Sequence, residues 1–279
     1  MKCCCCNCKA DSWVRFFHFF LTLTIFYVQL SNGRSDLHEA WVNQACCYLY
    51  LFFVLLFVSS LFYLIASLMN PGYLPKNLNS DHEKLLPDQK LSTGDSVTGE
   101  VAKETAAVGS RYCRLCCTIQ PMRVKHCYLC GRCVQRFDHH CPWLGNCVGE
   151  RNHRFFWLFL LVESGLLVWS VKIGWSSLQW HMQFEDWIKT NAVNLLCFII
   201  ITLATLAITM LLCYHTYLML TGQTTWEQVS RQRILYLKNL EMFTNPFDEG
   251  CFENVSTFLC NCRQIGRNWE TVYNKGIYR

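Results

Sequence analysis

The sequence predicts an all-α integral membrane protein: four transmembrane helices with one compact cysteine-rich module between the second and the third. Three observations carry that expectation. The chain of 279 residues is 52% hydrophobic and only 16% charged, where a soluble domain carries about 25% charged residues. Four apolar runs reach the roughly 17–25 residues that a helix needs to cross a bilayer. Between them, residues 113–147 hold eight cysteines and three histidines.

In chain order, residues 1–12 form a cysteine-rich amino terminus, with Cys3, Cys4, Cys5, Cys6 and Cys8 just ahead of the first apolar run. Residues 13–69 hold helices one and two, at 13–30 and 46–69. The first run has Arg15 and His18 near its start, as a signal peptide could. The Asn32-Gly33-Arg34 loop after it offers no small-residue cleavage site, so an uncleaved helix is expected. Residues 70–110 are a linker; from 75 onward they are polar and lack any apolar period. Residues 111–154 are the module, with no internal repeat visible beyond two sets of Cys/His. Residues 155–220 hold helices three and four, at 155–178, interrupted by Glu163 and Lys172, and at 192–220. Residues 221–279 are a tail. It opens on Thr224-x-x-Glu227, a capping-box pattern. Apolar residues then recur at Val229, Ile234, Leu237 and Leu240 as a helical stripe. Asn245-Pro246-Phe247-Asp248 breaks that helix, and a second short one runs from near Cys251 to Cys262.

Basic residues set the orientation. The segment 69–154 carries twelve Lys/Arg and the tail seven, whereas the short loops 31–45 and 179–191 carry one each, Arg34 and Lys189. Positive charge marks the cytosolic side, so the amino terminus, the module and the tail are expected there. In reducing cytosol, twenty cysteines point to metal binding or thiol chemistry rather than disulfides.

The module is spaced as Cys113-x2-Cys116, His126, Cys127-x2-Cys130-x2-Cys133, His140 and Cys147. A closed structural zinc site takes four thiolate or imidazole ligands. These eight residues suffice for two such sites, and on spacing alone neighbouring C-x2-C units would pair first. Cys117, Cys141 and His139 are left over. Cys141 and His139 lie in Asp138-His139-His140-Cys141-Pro142-Trp143. A thiol, an imidazole and a carboxylate on a metal scaffold are the parts of an activated nucleophile. The plainer reading, a zinc finger that only binds a partner, leaves Cys141 unexplained. A third zinc ligand in another sharing scheme is the plainer reading of Cys141 itself.

From Arg111 to about Phe156 the chain resembles the DHHC-type protein S-acyltransferases, or palmitoyltransferases. The match includes Pro121, Arg123, His126-Cys127, the D-H-H-C-P-W block, Asn146-Cys147-Val148-Gly149, Asn152 and Phe155. The resemblance implies that one zinc takes Cys113, Cys116, His126 and Cys133, and the other Cys127, Cys130, His140 and Cys147. It implies that Cys141 attacks the thioester of a long-chain acyl-CoA, becomes acylated, and passes the acyl group to a cysteine of a membrane-associated protein. His139 would take the thiol proton or stabilise the thiolate, and Asp138 would orient the imidazole. Thr224-Thr225-x-Glu227 matches the family's T-T-x-E motif, and Gly250, Asn254 and Phe258 its carboxy-terminal motif. Asn70-Pro71-Gly72 departs from the usual D-P-G, which puts any charge interaction there in doubt. The N-C-V-G-E-R-N-H run, the T-T-W-E form and the N-P-F-D-x-G tail look most like a short member of that family, implying Golgi or endoplasmic reticulum membranes.

Weaker signals keep more than one reading. Arg111, Arg114, Arg123, Lys125, Arg132 and Arg136 could form a solvated face, or meet the phosphates of coenzyme A or anionic headgroups. Nucleic acid is not an expected partner for a surface held against a membrane. Glu163 could line an acyl cavity or face the bundle; His18 and His215 read as packing residues. Cys3–Cys8 read first as acylation sites. A catalytically silent zinc-bearing adaptor is the alternative from another class, but it need not keep Cys141 beside His139 and Asp138. A metal transporter would want paired ionisable residues in its helices, and only Glu163, Lys172 and His215 qualify.

Overall fold

A computed structural model describes residues 8–75, 111–260 and 265–277. Cys3–Cys6, most of the linker 75–110, and Cys262 lie outside the described residues.

Among the described residues, four helices are long and apolar enough to cross a membrane. They are α1 (Cys8–Ser31), α3 (Cys46–Leu68), α4 (His153–Ser176) and α5 (Phe184–Thr221), with the short α2 (Asp36–Val42) between the first two. α4 packs against both α3 and α5. α1 closes one side: Arg15 Nη1 donates to Ser67 Oγ at 3.3 Å near one end, and Gln29 Nε2 to the Ser170 carbonyl at 3.0 Å near the other. α2 arises because Ser35 caps it, its hydroxyl accepting from His38 N at 3.0 Å, and because Leu37 is buried.

The fourth span differs from expectation. α5 starts at Phe184 rather than 192 and runs for 38 residues, about 57 Å of helix, against a hydrocarbon layer of about 30 Å. Its first turns carry Glu185, Asp186 and Lys189, which hydropathy excludes but helix geometry accepts. Lys189 and Glu185 pair across one turn at 3.8 Å.

The module corrects the all-α expectation. It is three antiparallel hairpins: β1 (Arg111–Cys113) with β2 (Thr118–Gln120), β3 (Lys125–Cys127) with β4 (Arg132–Val134), and β5 (His139–Cys141) with β6 (Asn146–Val148). Strands of three residues are too short to show a period of two, so they escape periodicity. The hairpins also reveal a repeat that composition hides. They start at residues 111, 125 and 139, fourteen apart. The same spacing relates Cys113, Cys127 and Cys141, and the left-handed turn residues Cys117, Gly131 and Gly145 at φ 49°, 60° and 60°.

Asparagines dock the module on the membrane helices. Asn146 Nδ2 donates to Met69 O at 2.9 Å, and Asn152 Nδ2 to Ala66 O at 2.9 Å and Cys147 O at 2.8 Å. A side chain at Gly149 would stand 2.7 Å from the Pro71 carbonyl, so the close approach there requires glycine.

In the tail, α6 (Thr225–Val229) has the expected capping box. The stripe that follows is not a helix. α6 stops at Val229, which is exposed, a single 3-10 turn spans Arg231–Arg233, and turns follow. Arg231 Nη2 donates to the Glu241 and Thr244 carbonyls at 2.7 and 2.6 Å, holding the irregular path. Ile234 and Leu237 are buried because the loop packs on Met122, Phe247 and Tyr273. α7 (Cys251–Leu259) and an unexpected α8 (Trp269–Ile277) complete the tail.

Candidate active site and metal clusters

Two groups of side chains converge as metal ligands do: Cys113, Cys116, His126 and Cys133, and Cys127, Cys130, His140 and Cys147. A tetrahedral zinc with sulfur at about 2.3 Å and nitrogen at about 2.0–2.1 Å puts its ligand atoms roughly 3.5–3.8 Å apart. His126 Nδ1 lies 3.6, 3.3 and 3.8 Å from the sulfurs of Cys113, Cys116 and Cys133. His140 Nδ1 lies 3.8, 3.4 and 3.5 Å from those of Cys127, Cys130 and Cys147. The donor sets and spacings fit a thiophilic divalent ion. The groups are interleaved, so pairing by nearest C-x2-C fails. In each, the histidine and the later cysteine face each other across one hairpin, His126 with Cys133 and His140 with Cys147. The C-x2-C comes from the tip of the hairpin before. Gln120 Nε2 donates to Cys133 Sγ at 3.2 Å, a partner outside the ligand set. Cys117 is exposed and joins neither group.

Asp138, His139 and Cys141 meet beside the second cluster. Strand side chains alternate, so within β5 His139 and Cys141 share a face and His140 takes the other. Asp138 is buried and accepts from His139 Nδ1 at 2.6 Å. It also accepts from Thr225 N and Thr225 Oγ1, both at 2.8 Å. Burial would push its carboxyl up, but the surrounding imidazoles, His153 first, and the hydrogen bond from His139 hold it well below the usual carboxylate range. Burial likewise would lower His139, yet its hydrogen bonds to Asp138 and Cys141 outweigh that and raise it to about 9. The shift favours a charged ring facing the Cys141 sulfur.

Two further imidazoles were read from sequence as unremarkable or not at all. His215 from α5 and His153 from α4 are buried. His153 Nε2 lies 3.1 Å from His215 Nδ1. His215 joins Asp138 and His139 as a third convergent group. There the 2.6 Å contact is a hydrogen bond, too short for two ligands of one tetrahedral ion. The available signal was an imidazole in the cleanest apolar run, an expensive residue there.

Cys141 opens onto a cavity of about 360 Å³ between the membrane helices, also lined by His18, Tyr63, Phe156, Phe159 and Glu163. Its walls run along α4 from Phe156 to Ser170, about 21 Å of helix. Glu163 does reach the cavity, and Ser59 Oγ donates to its carboxylate. His18 stacks on Tyr63 at 3.9 Å between ring centroids, and Tyr63 Oη donates to the Trp143 carbonyl at 3.0 Å.

A family model described as DHHC palmitoyltransferase matches residues 107–232. The chain is 37% identical over 265 residues to Palmitoyltransferase ZDHHC12-A of Danio rerio, covering 95% of each. This chain belongs to the DHHC palmitoyltransferase family. Palmitoyltransferase ZDHHC12 of Homo sapiens is 36% identical over 234 residues, 84% of this chain and 82% of its own. A plant relative, Probable protein S-acyltransferase 16 of Arabidopsis thaliana, is 32% identical over 204 residues, 71% and 67%.

In this DHHC chain the departure at Asn70 is harmless to the turn. Asn70 Oδ1 accepts from Gly72 N at 2.9 Å and Tyr73 N at 2.8 Å, as a carboxylate oxygen would. The T-T-x-E glutamate is a buried clamp as well as a cap. Glu227 takes Arg123 Nε at 2.7 Å and Arg123 Nη2 at 2.6 Å, and the pair is buried. The Arg123 guanidinium also stacks on Phe247 at 4.0 Å. Asn254 ties α7 to α5 as the DHHC tail motif implied, donating to the Leu220 carbonyl at 2.7 Å. The basic stretch is not one solvated face. Arg123 and Arg136 are buried, and burial, then the nearby Arg123, lowers Arg136 to about 9. Arg114 and Lys125 instead line a groove of about 550 Å³ with Arg233 from the tail.

Proposed function

We propose that this DHHC family member is a protein S-acyltransferase that works through an acyl-enzyme at Cys141. The observation that carries the reading is the position of Cys141. It sits at the mouth of an apolar cavity, on the strand face of His139, while all eight metal-type ligands are filled without it. An adaptor has no use for a thiol there.

The chemistry balances in two steps. The Cys141 sulfur adds to the acyl-CoA thioester carbonyl, the bond to the coenzyme A sulfur breaks, and His139 hands that sulfur a proton. A substrate cysteine then loses its proton to His139 and attacks the Cys141 thioester, which restores the thiolate and the imidazolium. Asp138 orients His139 throughout and offsets its charge. Each step exchanges one thioester for another, so positioning and ionisation carry the rate. The apolar cavity takes the long acyl chain. The groove lined by Arg114, Lys125 and Arg233 suits the phosphates of coenzyme A.

Two zinc ions, by donor set, hold the hairpins together and supply no chemistry to these steps. The excess of Lys/Arg in 69–154 and in the tail supports a cytosolic module and cytosolic termini. Substrates are then proteins with cysteines near that membrane face. The resemblance to a short family member supports Golgi or endoplasmic reticulum membranes. The test is purified protein incubated with alkyne-tagged palmitoyl-CoA, beside metal analysis. A hydroxylamine-sensitive label and two zincs per chain are expected. Cys141→Ser should keep both zincs and lose transfer to a substrate protein; transfer at the wild-type rate by that variant would sink the enzyme assignment.

A further inference from the structure

Asp138 and His139 do not stand alone. Asp138 Oδ2 is saturated by His139 Nδ1 and Thr225 Oγ1, and Oδ1 takes Thr225 N. The remaining side of Oδ1 faces His153 Nδ1 at 3.8 Å. That nitrogen is buried and has no hydrogen-bond partner. A carboxylate only accepts, so the hydrogen of a neutral His153 belongs on Nδ1, facing it. Its Nε2 is then an acceptor, and His215 Nδ1, 3.1 Å away, must be the donor. The His215 ring in turn lies 5.7 Å from that of His139, with Phe156 edge-on to both. Phe258 packs on the His153 ring at 5.0 Å.

We propose that His153 and His215 are positioning residues for the transfer reaction: a hydrogen-bonded pair, one imidazole from α4 and one from α5, that holds the Asp138 carboxylate and hence the His139 ring in register with Cys141. They touch neither substrate nor sulfur. They act by orienting a dipole at the one carboxylate edge that no other group satisfies, within an apolar wall where a stray orientation cannot be corrected by water. This rests on the acyl-enzyme reading above and adds residues outside the D-H-H-C block to it.

The experiment compares His215→Phe with His215→Asn in auto-acylation by alkyne-tagged palmitoyl-CoA. If His215 only fills space, Phe should serve and the shorter Asn should damage. If it positions, Asn keeps a polar group near Nδ1 and should retain most of the rate. Phe should then lower kcat about 10- to 100-fold, the range seen for partners that orient ligating imidazoles, with KM for acyl-CoA changed less than about twofold. Zinc content and elution volume report folding. Where a variant fails those, His153→Phe against His153→Asn makes the same comparison from the other end of the pair. Cys141→Ser is the control. A hydroxylamine-sensitive self-label surviving in Cys141→Ser overturns the acyl-enzyme itself. If that label is lost in Cys141→Ser but His215→Phe reacts at the wild-type rate, or faster than His215→Asn, only the positioning role is overturned.

Discussion

His139 and His140 are neighbours in sequence and face opposite ways because a strand alternates its side chains. One meets Asp138 at 2.6 Å, the other three sulfurs at 3.4–3.8 Å. Their alanine variants should therefore fail differently. His139→Ala should keep two zincs and fold while auto-acylation drops. Its defect should shrink as pH rises, because hydroxide then takes the proton that His139 no longer draws off. His140→Ala should lose metal and stability first, and high pH should not restore it. Auto-acylation against pH, with zinc content, decides; zinc loss by His139→Ala would break the division. The two Cys/His groups were legible through the family match, since spacing alone pairs neighbouring C-x2-C units. His153 and Thr225 appeared only inside matched runs, because their contacts with Asp138 span 15 and 87 positions.

At the scale of elements, the apolar runs located all four long helices, since one face or all faces must meet lipid or core, but the polar first turns of α5 lay outside its run. The hairpins were not, because three-residue strands held by side-chain ligands carry no hydrophobic period. Nor was the fate of 229–240, where a stripe at helical spacing packs as turns around Tyr236. The tail is fastened to the module by the Arg123–Glu227 pair. Breaking one partner of a buried pair costs about 3–5 kcal/mol. Glu227→Gln should thus loosen α6, speed proteolysis of the tail, and displace Thr225 from Asp138, so that transfer falls with tail protection. Wild-type proteolysis rates in that variant would remove the clamp from the account.

For the whole molecule, the charge count argues that Cys117, Cys251 and Cys260 face one side of the membrane and Cys46 the other; all four are exposed. In sealed, cytosol-side-out vesicles, an impermeant maleimide should modify variants that keep the six ligand cysteines and one exposed cysteine when that cysteine is 117 or 260, but not when it is 46 until detergent is added. The reverse pattern would invert the topology. The basic residues predict the side of the membrane, and the labelling tests it. The lining of the cavity was not legible, because it is assembled from side chains on all four spanning helices.

The fourteen-residue spacing gives the Cys141 sulfur an ancestry in geometry. Cys141 stands in the slot that Cys127 and Cys113 fill one and two hairpins earlier, and Leu144 stands where those hairpins have Cys130 and Cys116. After the third hairpin comes α4, not a fourth strand pair bearing a histidine and a cysteine. In the proposed enzyme the nucleophile is a knuckle cysteine left over at the end of a row, its shape inherited and its ion withheld. Leu144→Cys would restore the C-x2-C at that tip. It should make auto-acylation sensitive to added zinc at concentrations that leave the wild type active, with recovery on chelation. Equal sensitivity in the two proteins would show that the third tip no longer keeps the geometry of the first two.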